Sequence, residues 1–326
     1  MFAITQQSPG GPDTLSWEKV PDPTPGPNEV IIDIAASAVN RADILQREGK
    51  YPPPPGGSEI IGLECSGTII SVGAALTLDR IGERVTALLS GGGYATRVAT
   101  PIGQVMSVPE GVDIVTAGAI PEVACTVWSN LVHVAKLRED ETVLIHGGAS
   151  GIGTMAIQVA RALGARVAVT AGSQRKLAAC ADLGADICIN YNEVDFVDAL
   201  KDDTGGRGAD VILDIMGAAY LMRNIEALDR NGRQVTIGMQ GGISAELDIS
   251  AMTAKNVGVF GTSLRRRPDS EKATICREVE KHVWPWIEAG IVTPVVDRVL
   301  PMPQAGDAHQ LLDSGDIIGK VALETP

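Results

Sequence analysis

Apolar residues fall into two different rhythms along this chain. In the first 120 residues they form short β-prone runs at 30–34, 67–72 and 84–89. Gly and Pro separate these runs, notably across 21–27 and in the Pro52-Pro53-Pro54-Pro55-Gly56-Gly57 stretch. This spacing predicts a compact, largely antiparallel domain, with the proline run as a stiff surface loop. Near residue 122 the rhythm changes. Residues 122–134 read as a helix and 141–146 as an apolar strand; a glycine turn then leads into a helix reaching Leu163. Further strands are expected at 166–170 and near 186–190, 210–215, 233–237 and 257–260, mostly separated by helix-length segments. That alternation is the signature of βαβ units, hence a doubly wound parallel sheet. The tail reads as a helix around 270–289, a strand at 295–299, a helix near 304–313 and a strand at 318–323. These last elements are expected to rejoin the first domain. The domains are therefore drawn as 1–121 with 263–326, and 122–262.

Composition narrows the function classes. The 326 residues include 37 Gly but only 4 Trp, 4 Tyr and 3 Phe, which favours an aliphatic-packed α/β enzyme over an aromatic recognition platform. Acidic residues exceed basic ones by 13, so no uniformly basic nucleic-acid surface is expected. No run of 18 apolar residues predicts a membrane span, and the amino terminus shows no signal-peptide pattern, so a cytoplasmic location is expected. Five dispersed cysteines form neither a disulfide framework nor a metal-binding quartet.

The chemistry begins at Gly148-x-Ser150-x-x-Gly153, a dinucleotide fingerprint with Ser in place of its second Gly. Placed between a strand and a helix, such a turn offers backbone N–H groups to a pyrophosphate, and Gly153 permits close helix–sheet packing. The alternative is an ordinary tight βα turn. An acidic residue about 20 positions on would favour NAD through the ribose hydroxyls. Here the segment from Thr170 through Gly172, Ser173, Gln174 and Arg175 to Lys176 has no acid before Asp182. Ser173 can donate to a ribose phosphate and Lys176, one helical turn later, can neutralise it, which favours NADPH. Arg175 and Lys176 also read as solvated helix residues. Tyr191 either covers that ribose or is a surface tyrosine. Gly238-Met239 follows another strand and either approaches the nicotinamide or belongs to a flexible loop.

A zinc-dependent hydride transfer needs convergent Cys, His or carboxylate ligands. Glu64-Cys65 has no neighbouring His, and Asn40 stands where a thiol ligand would otherwise be expected. Cys125 reads mainly as packing, His133 as a helix residue, and His146 as a polar side chain at the entrance to the glycine turn. No metal set emerges.

The run Ala38-Val39-Asn40-Arg41-Ala42-Asp43-Ile44-Leu45-Gln46-Arg47 is followed by Tyr51-Pro52 and Gly62-Leu63-Glu64-Cys65-Ser66-Gly67. Together with residues 170–176, Gly184-Ala185-Asp186, Asn190-Tyr191 and Gly319-Lys320-Val321-Ala322-Leu323, this order resembles the zinc-free quinone oxidoreductase branch of the medium-chain dehydrogenase/reductase superfamily. The resemblance spans nearly the whole chain. It implies a GroES-like, mainly antiparallel β catalytic domain beside a Rossmann domain, NADPH as cofactor, a cleft between the two domains, and a homodimer. Asn40 and Thr126 would approach the nicotinamide ribose or amide. Gly151, Ile152, Ser173, Lys176 and Tyr191 would line the dinucleotide site, and Thr262, Ser263, Leu264 and Lys320 would approach from the opposite side. Tyr51 would stand near the substrate entrance, as a proton donor or as a wall of the pocket. The implied reaction is hydride transfer to a quinone, with the activated double bond of an enone as the alternative acceptor. A nonenzymatic NADPH-binding protein is a further alternative. The short-chain dehydrogenase class fails, because neither Tyr191 nor Tyr220 is followed by Lys at the fourth position.

Overall fold

The computed structural model describes residues 1–326. The chain forms two compact units. One comprises Met1–Cys125, Leu264–Gly290 and Pro294–Pro326; the other comprises Thr126–Ser263 and Ile291–Thr293.

The first unit is built on a seven-stranded sheet. Its path runs through Val296–Pro301, Lys320–Glu324, Glu29–Ala38, Glu64–Val72, Arg84–Leu88 and Val105–Ser107, and Arg97–Pro101 also pairs with Glu29–Ala38. All pairings are antiparallel except the one between the two carboxyl-terminal strands. The apolar run at 30–34 extends to Ala38 because small residues continue it, and only Asp33 along this strand is exposed. Ile32, Ile34, Ile69, Val85, Tyr94 and Leu323 meet in its core. Lys320–Glu324 returns to pair with this strand, placing Ala322 opposite Ala38 and Leu323 opposite Ser37. That register brings Lys320 to the end of the strand that leads into Asn40.

The second unit carries six parallel strands in the order Ile187–Asn190, Arg166–Ala171, Thr142–His146, Ala209–Asp214, Leu228–Thr236 and Gly258–Gly261. In chain order this is 3-2-1-4-5-6, the doubly wound arrangement in which ligands bind beyond the carboxyl ends of the strands. Thr142–His146 is buried throughout, as an inner parallel strand must be. Leu144, Ala168, Ile212, Phe196, Leu200 and Ile225 form the core on one side of the sheet. His146 belongs to this packing. Its ring stacks edge-on against Phe196 and Tyr220, and its nitrogens meet Thr170 and Asn224.

The helix expected over 122–134 is not uniform. Pro121–Trp128 is α-helical and Ser129–Val134 widens to a π-helix. The Ser129 hydroxyl and the Asn130 amide both donate to the Thr126 carbonyl, the regular acceptor for Asn130's own backbone N–H. At the end of this segment the Ala135 amide donates to the Asn130 carbonyl, five residues back. Side-chain competition for one carbonyl accounts for the wider turn.

Close strand approach in the first unit depends on Gly67. A Cβ there would lie 2.0 Å from the Asp33 carbonyl oxygen. Gly67→Ala is expected to destabilise the protein by roughly 1–3 kcal/mol or more in urea denaturation, because backbone must move to admit the methyl. Gly261→Ala, with open space around the added carbon, should stay within about 0.5 kcal/mol of the parent.

Candidate functional site

In the second unit, the glycine turn leaves the central strand with Gly147 in the left-handed region, at φ 72°. Ser150 caps the helix Gly151–Ala162, its Oγ accepting the Gly153 amide at 3.0 Å. The Ser in the fingerprint therefore supplies a helix cap, and the amides of Gly151 and Ile152 lie at the same helix start. A Cβ on Gly153 would stand 2.3 Å from the Gly147 carbonyl oxygen and 2.5 Å from that of Gly148, so the helix packs directly on the turn. Gly148 is equally confined, by Val169 and Cys180.

At the end of the neighbouring strand, Ser173 caps the helix Gln174–Asp182 and accepts the Lys176 amide at 3.4 Å. Lys176 is half-buried, Arg175 exposed. Tyr191 is 46% exposed, and its hydroxyl lies over Gly172, 2.5 Å from where a Cβ would be. Ser173 and Lys176 thus share the first turn of one helix, and Tyr191 lies against Gly172, the residue before Ser173. No carboxylate follows the strand directly.

The loop of Gly238 and Met239 is tied to residues 215–219 by backbone bonds from Gln240 to Ile215, Gly241 to Met216 and Ala218 to Gly242, with Met239 exposed. Thr262 donates to Asn130 at 2.6 Å and Asn130 donates to the Thr126 carbonyl at 2.7 Å, so one buried amide links two of the expected cofactor residues. Ser263 is half-buried; Leu264, the next residue, is buried in the first unit.

In the first unit, Asn40 and Lys320 converge on Glu64. The Lys320 ammonium donates to Asn40 Oδ1 at 2.5 Å and to Glu64 Oε1 at 2.7 Å, and Asn40 Nδ2 donates to the same Oε1 at 2.9 Å. Glu64 Oε2 accepts the Glu122 amide at 2.9 Å. Glu64 has no exposed surface. Asp43 lies below, accepting the Asn40 amide at 2.8 Å and the Tyr94 hydroxyl at 3.2 Å, while its other oxygen is buried with no partner. The Tyr94 hydroxyl also meets His309 Nε2 at 3.1 Å, and Arg47 faces His309 Nδ1 at 3.3 Å. Tyr51 lies beside two arginines. The guanidiniums of Arg265 and Arg266 are 5.4 and 5.7 Å from its ring centroid, and buried Arg265 donates to the carbonyls of Ser90 and Tyr51 and to Gln46.

Residues 26–136 match the alcohol dehydrogenase GroES-like domain family and residues 151–280 the zinc-binding dehydrogenase family. The quinone oxidoreductase of Rattus norvegicus is 30% identical over 326 residues, covering 99% of this chain and 97% of that one. The chain belongs to the medium-chain dehydrogenase/reductase superfamily. Among solved superfamily structures, Escherichia coli quinone oxidoreductase complexed with NADPH has a TM-score of 0.88 at 27% identity, covering 99% of this chain and 100% of that one. CurK enoyl reductase has a TM-score of 0.87 at 26% identity, covering 100% and 99%. The chain spans only 15% of the mycocerosic acid synthase-like polyketide synthase of Mycobacterium tuberculosis, which it matches at 27% identity.

One of the two matched families is zinc-binding, and the donors present in this dehydrogenase/reductase do not suit that metal. No three His, Cys, Asp or Glu side chains are grouped to hold a metal ion. Glu64 is committed to Lys320, Asn40 and a backbone amide, and burial pushes the adjacent Cys65 thiol up, keeping its proton on. Cys125 is likewise buried, its sulfur 3.9 Å from that of Cys276. These residues do not form a zinc site.

Sequence reading weighed Glu64 only as a possible metal ligand and missed most of the other supporting groups: Asp43, Tyr94, His309, Asn130, Arg265 and, beside Gly172, Asn192. Asn40-x-x-Asp43 has the spacing of a helix-start box and was readable. The others meet partners far away in sequence and carry no local signal.

The buried groups govern stability in two ways. Removing one partner of a buried ion pair strands the other charge, so Glu64→Leu should cost about 3–5 kcal/mol in denaturant unfolding. Glu64→Leu with Lys320→Met should cost less than that single change, since neither charge remains. The second concerns acid. Burial pushes Asp43 up to about 6, against the pull of the Asn40 amide and Lys320. The folded state thus binds more protons than the unfolded chain between pH 3.8 and 6, and stability falls as pH rises across that window. His309 is held down to about 3 by burial and by Arg47 and Arg41. There the unfolded chain takes the proton first, so stability falls as pH drops from 6.5 toward 3. The two slopes oppose each other. Asp43→Asn should steepen the loss of thermal stability on acidification, and His309→Gln should flatten or reverse it.

Proposed function

We propose that this chain is an NADPH-dependent oxidoreductase that reduces quinones without zinc. The observation carrying the cofactor choice is the Gly172–Ser173–Lys176–Tyr191 group. These residues offer a hydroxyl, an ammonium and a phenol on a stretch that lacks the carboxylate an NAD-selective site would carry; Ser173 caps the helix that bears Lys176, and the Tyr191 hydroxyl lies over Gly172. The NADPH complex of the structurally similar E. coli enzyme supports the same choice.

The residues fit a dinucleotide. Gly153 and Gly148 keep the turn low, and any Cβ there would collide with backbone or core, which leaves the helix start open to phosphate. Gly148, Ser150, Gly151, Ile152 and Gly153 would hold the pyrophosphate, and Gly172, Ser173, Lys176 and Tyr191 the phosphate-bearing ribose. Thr126, Thr262, Ser263, Leu264, Gly238 and Met239 would serve the nicotinamide end, with Asn40 and Lys320 offering a polarised amide and an ammonium. When bound, the nucleotide supplies a hydride to the acceptor. Tyr51 would face the acceptor, and the guanidinium charges beside its ring favour an oxygen that gains negative charge there. A quinone carbonyl is already electrophilic, so charge stabilisation of this kind replaces a Lewis acid.

Enone reduction is the second reading, favoured by the similarity to CurK enoyl reductase. The edge strand Gly258–Gly261, with Phe260 46% exposed, supports the expected homodimer. No helix is long and apolar enough to cross a membrane.

Stopped-flow mixing with a small quinone and an enone, each with NADPH and NADH, tests this. Rapid NADPH oxidation by the quinone alone is the expected outcome. Turnover of the enone alone would transfer the assignment to the second reading. Binding of NADPH without turnover of either acceptor would leave a nucleotide-binding protein.

A further inference from the structure

Arg166–Ala171 and Ile187–Asn190 are parallel with Ala171 opposite Asn190, so Gly172–Ser173 and Tyr191–Asn192 leave the sheet side by side. The Tyr191 amide donates to the Ala171 carbonyl at 3.3 Å, the last rung of backbone pairing. One residue further on, a side chain takes over. Asn192 Nδ2 donates to the Gly172 carbonyl at 2.9 Å, across twenty positions of sequence. Asn192 is itself held, because its backbone amide donates to Asn190 Oδ1 at 3.2 Å, and Asn190 Nδ2 donates to Glu193 at 2.7 Å.

The Gly172 carbonyl belongs to the peptide that delivers Ser173. Ser173 is extended, at φ −156° and ψ 153°, before the helix begins. Rotation of that peptide would swing the Ser173 hydroxyl away from the first turn that carries Lys176. Gly172 is small for the same reason. A Cβ there would lie 2.5 Å from the Tyr191 hydroxyl and 3.3 Å from Asn192 Nδ2, so only glycine lets both side chains close over the peptide.

We propose that Asn192 is a positioning residue for the nucleotide's 2′-phosphate, acting by locking the Gly172–Ser173 peptide so that Ser173 and Lys176 meet the same anion. This rests on the NADPH reading. The ligand class is a phosphate monoester on the ribose, and Asn192 acts on it through its neighbours.

Calorimetric titration with adenosine 2′,5′-bisphosphate and with adenosine 5′-monophosphate tests the inference, since the two differ only in the 2′-phosphate. Asn192 is exposed, so Asn192→Leu, which keeps its size and removes its donor, leaves the core untouched. The bisphosphate should bind this variant about fivefold more weakly, as the loss of one hydrogen bond implies, with the monophosphate within about twofold. Asn192→Gln should recover part of the loss. With Ser173→Ala already present, Asn192→Leu should add little, because both changes act on one contact. Unchanged bisphosphate binding, an equal loss for both nucleotides, or full additivity with Ser173→Ala would each overturn the role while leaving the cofactor reading intact. Equal affinity of the parent protein for the two nucleotides would overturn the NADPH reading, and this inference with it.

Discussion

A carboxylate with no exposed surface has to be met by positive charge and by donors, and Glu64 sets that requirement at the centre of the first unit. Its two oxygens accept from Lys320, Asn40 and the Glu122 amide. Lys320 is 256 positions away and reaches Glu64 only because the last strand pairs with Ala36, Ser37 and Ala38. The return of the chain's end to its beginning is therefore enforced twice, by strand register and by charge. Asn40 is caught in the same arrangement. Its amide oxygen faces the ammonium and its amide nitrogen the carboxylate, so the side chain has one stable orientation.

The second unit achieves placement by another route. What it would offer a dinucleotide's pyrophosphate is backbone, and backbone is placed by what is missing from the side chains. Gly153 lets the helix sit on the turn, and Gly172 lets Tyr191 and Asn192 close over a peptide. Ser150 and Ser173 each cap a helix, so the two helix starts are defined without a ligand. Buried charge in one unit and absent side chains in the other yield the same property, preorganisation.

Much of the fold was legible from periodicity. The parallel strands stand within a few residues of their expected places, and the carboxyl-terminal strand does join the first sheet. Ser173 and Lys176 were readable as residues one helical turn apart, but the capping role of Ser173 was not anticipated. What escaped was of two kinds. The π-helix at Ser129–Val134 arises because two side chains take the Thr126 carbonyl, a competition invisible to an apolar-residue count. The Asp43–Tyr94–His309 chain joins residues up to 266 positions apart by the numbering, and nothing near any of them announces the others. Glu64 was noticed only for lacking a histidine neighbour, which concealed that its partner is an ammonium. Long-range polar pairing leaves no period in a sequence, so it becomes readable only once the strands are in register.

The same distinction bears on the choice between acceptors. Reducing an enone requires a proton delivered to carbon, whereas a quinone needs only that negative charge on oxygen be tolerated until solvent supplies the proton. Two of the proton-bearing groups in the first unit are sealed. Tyr94 is fully buried with its phenol pushed up by burial and by Asp43, and His309 is buried and held neutral. At Tyr51 the neighbours are cations, which stabilise an anion more readily than they replenish an acid. With Tyr94 and His309 enclosed and two guanidiniums beside the Tyr51 ring, this unit is better matched to oxyanion formation than to carbon protonation, and that asymmetry is the physical ground for placing the quinone first.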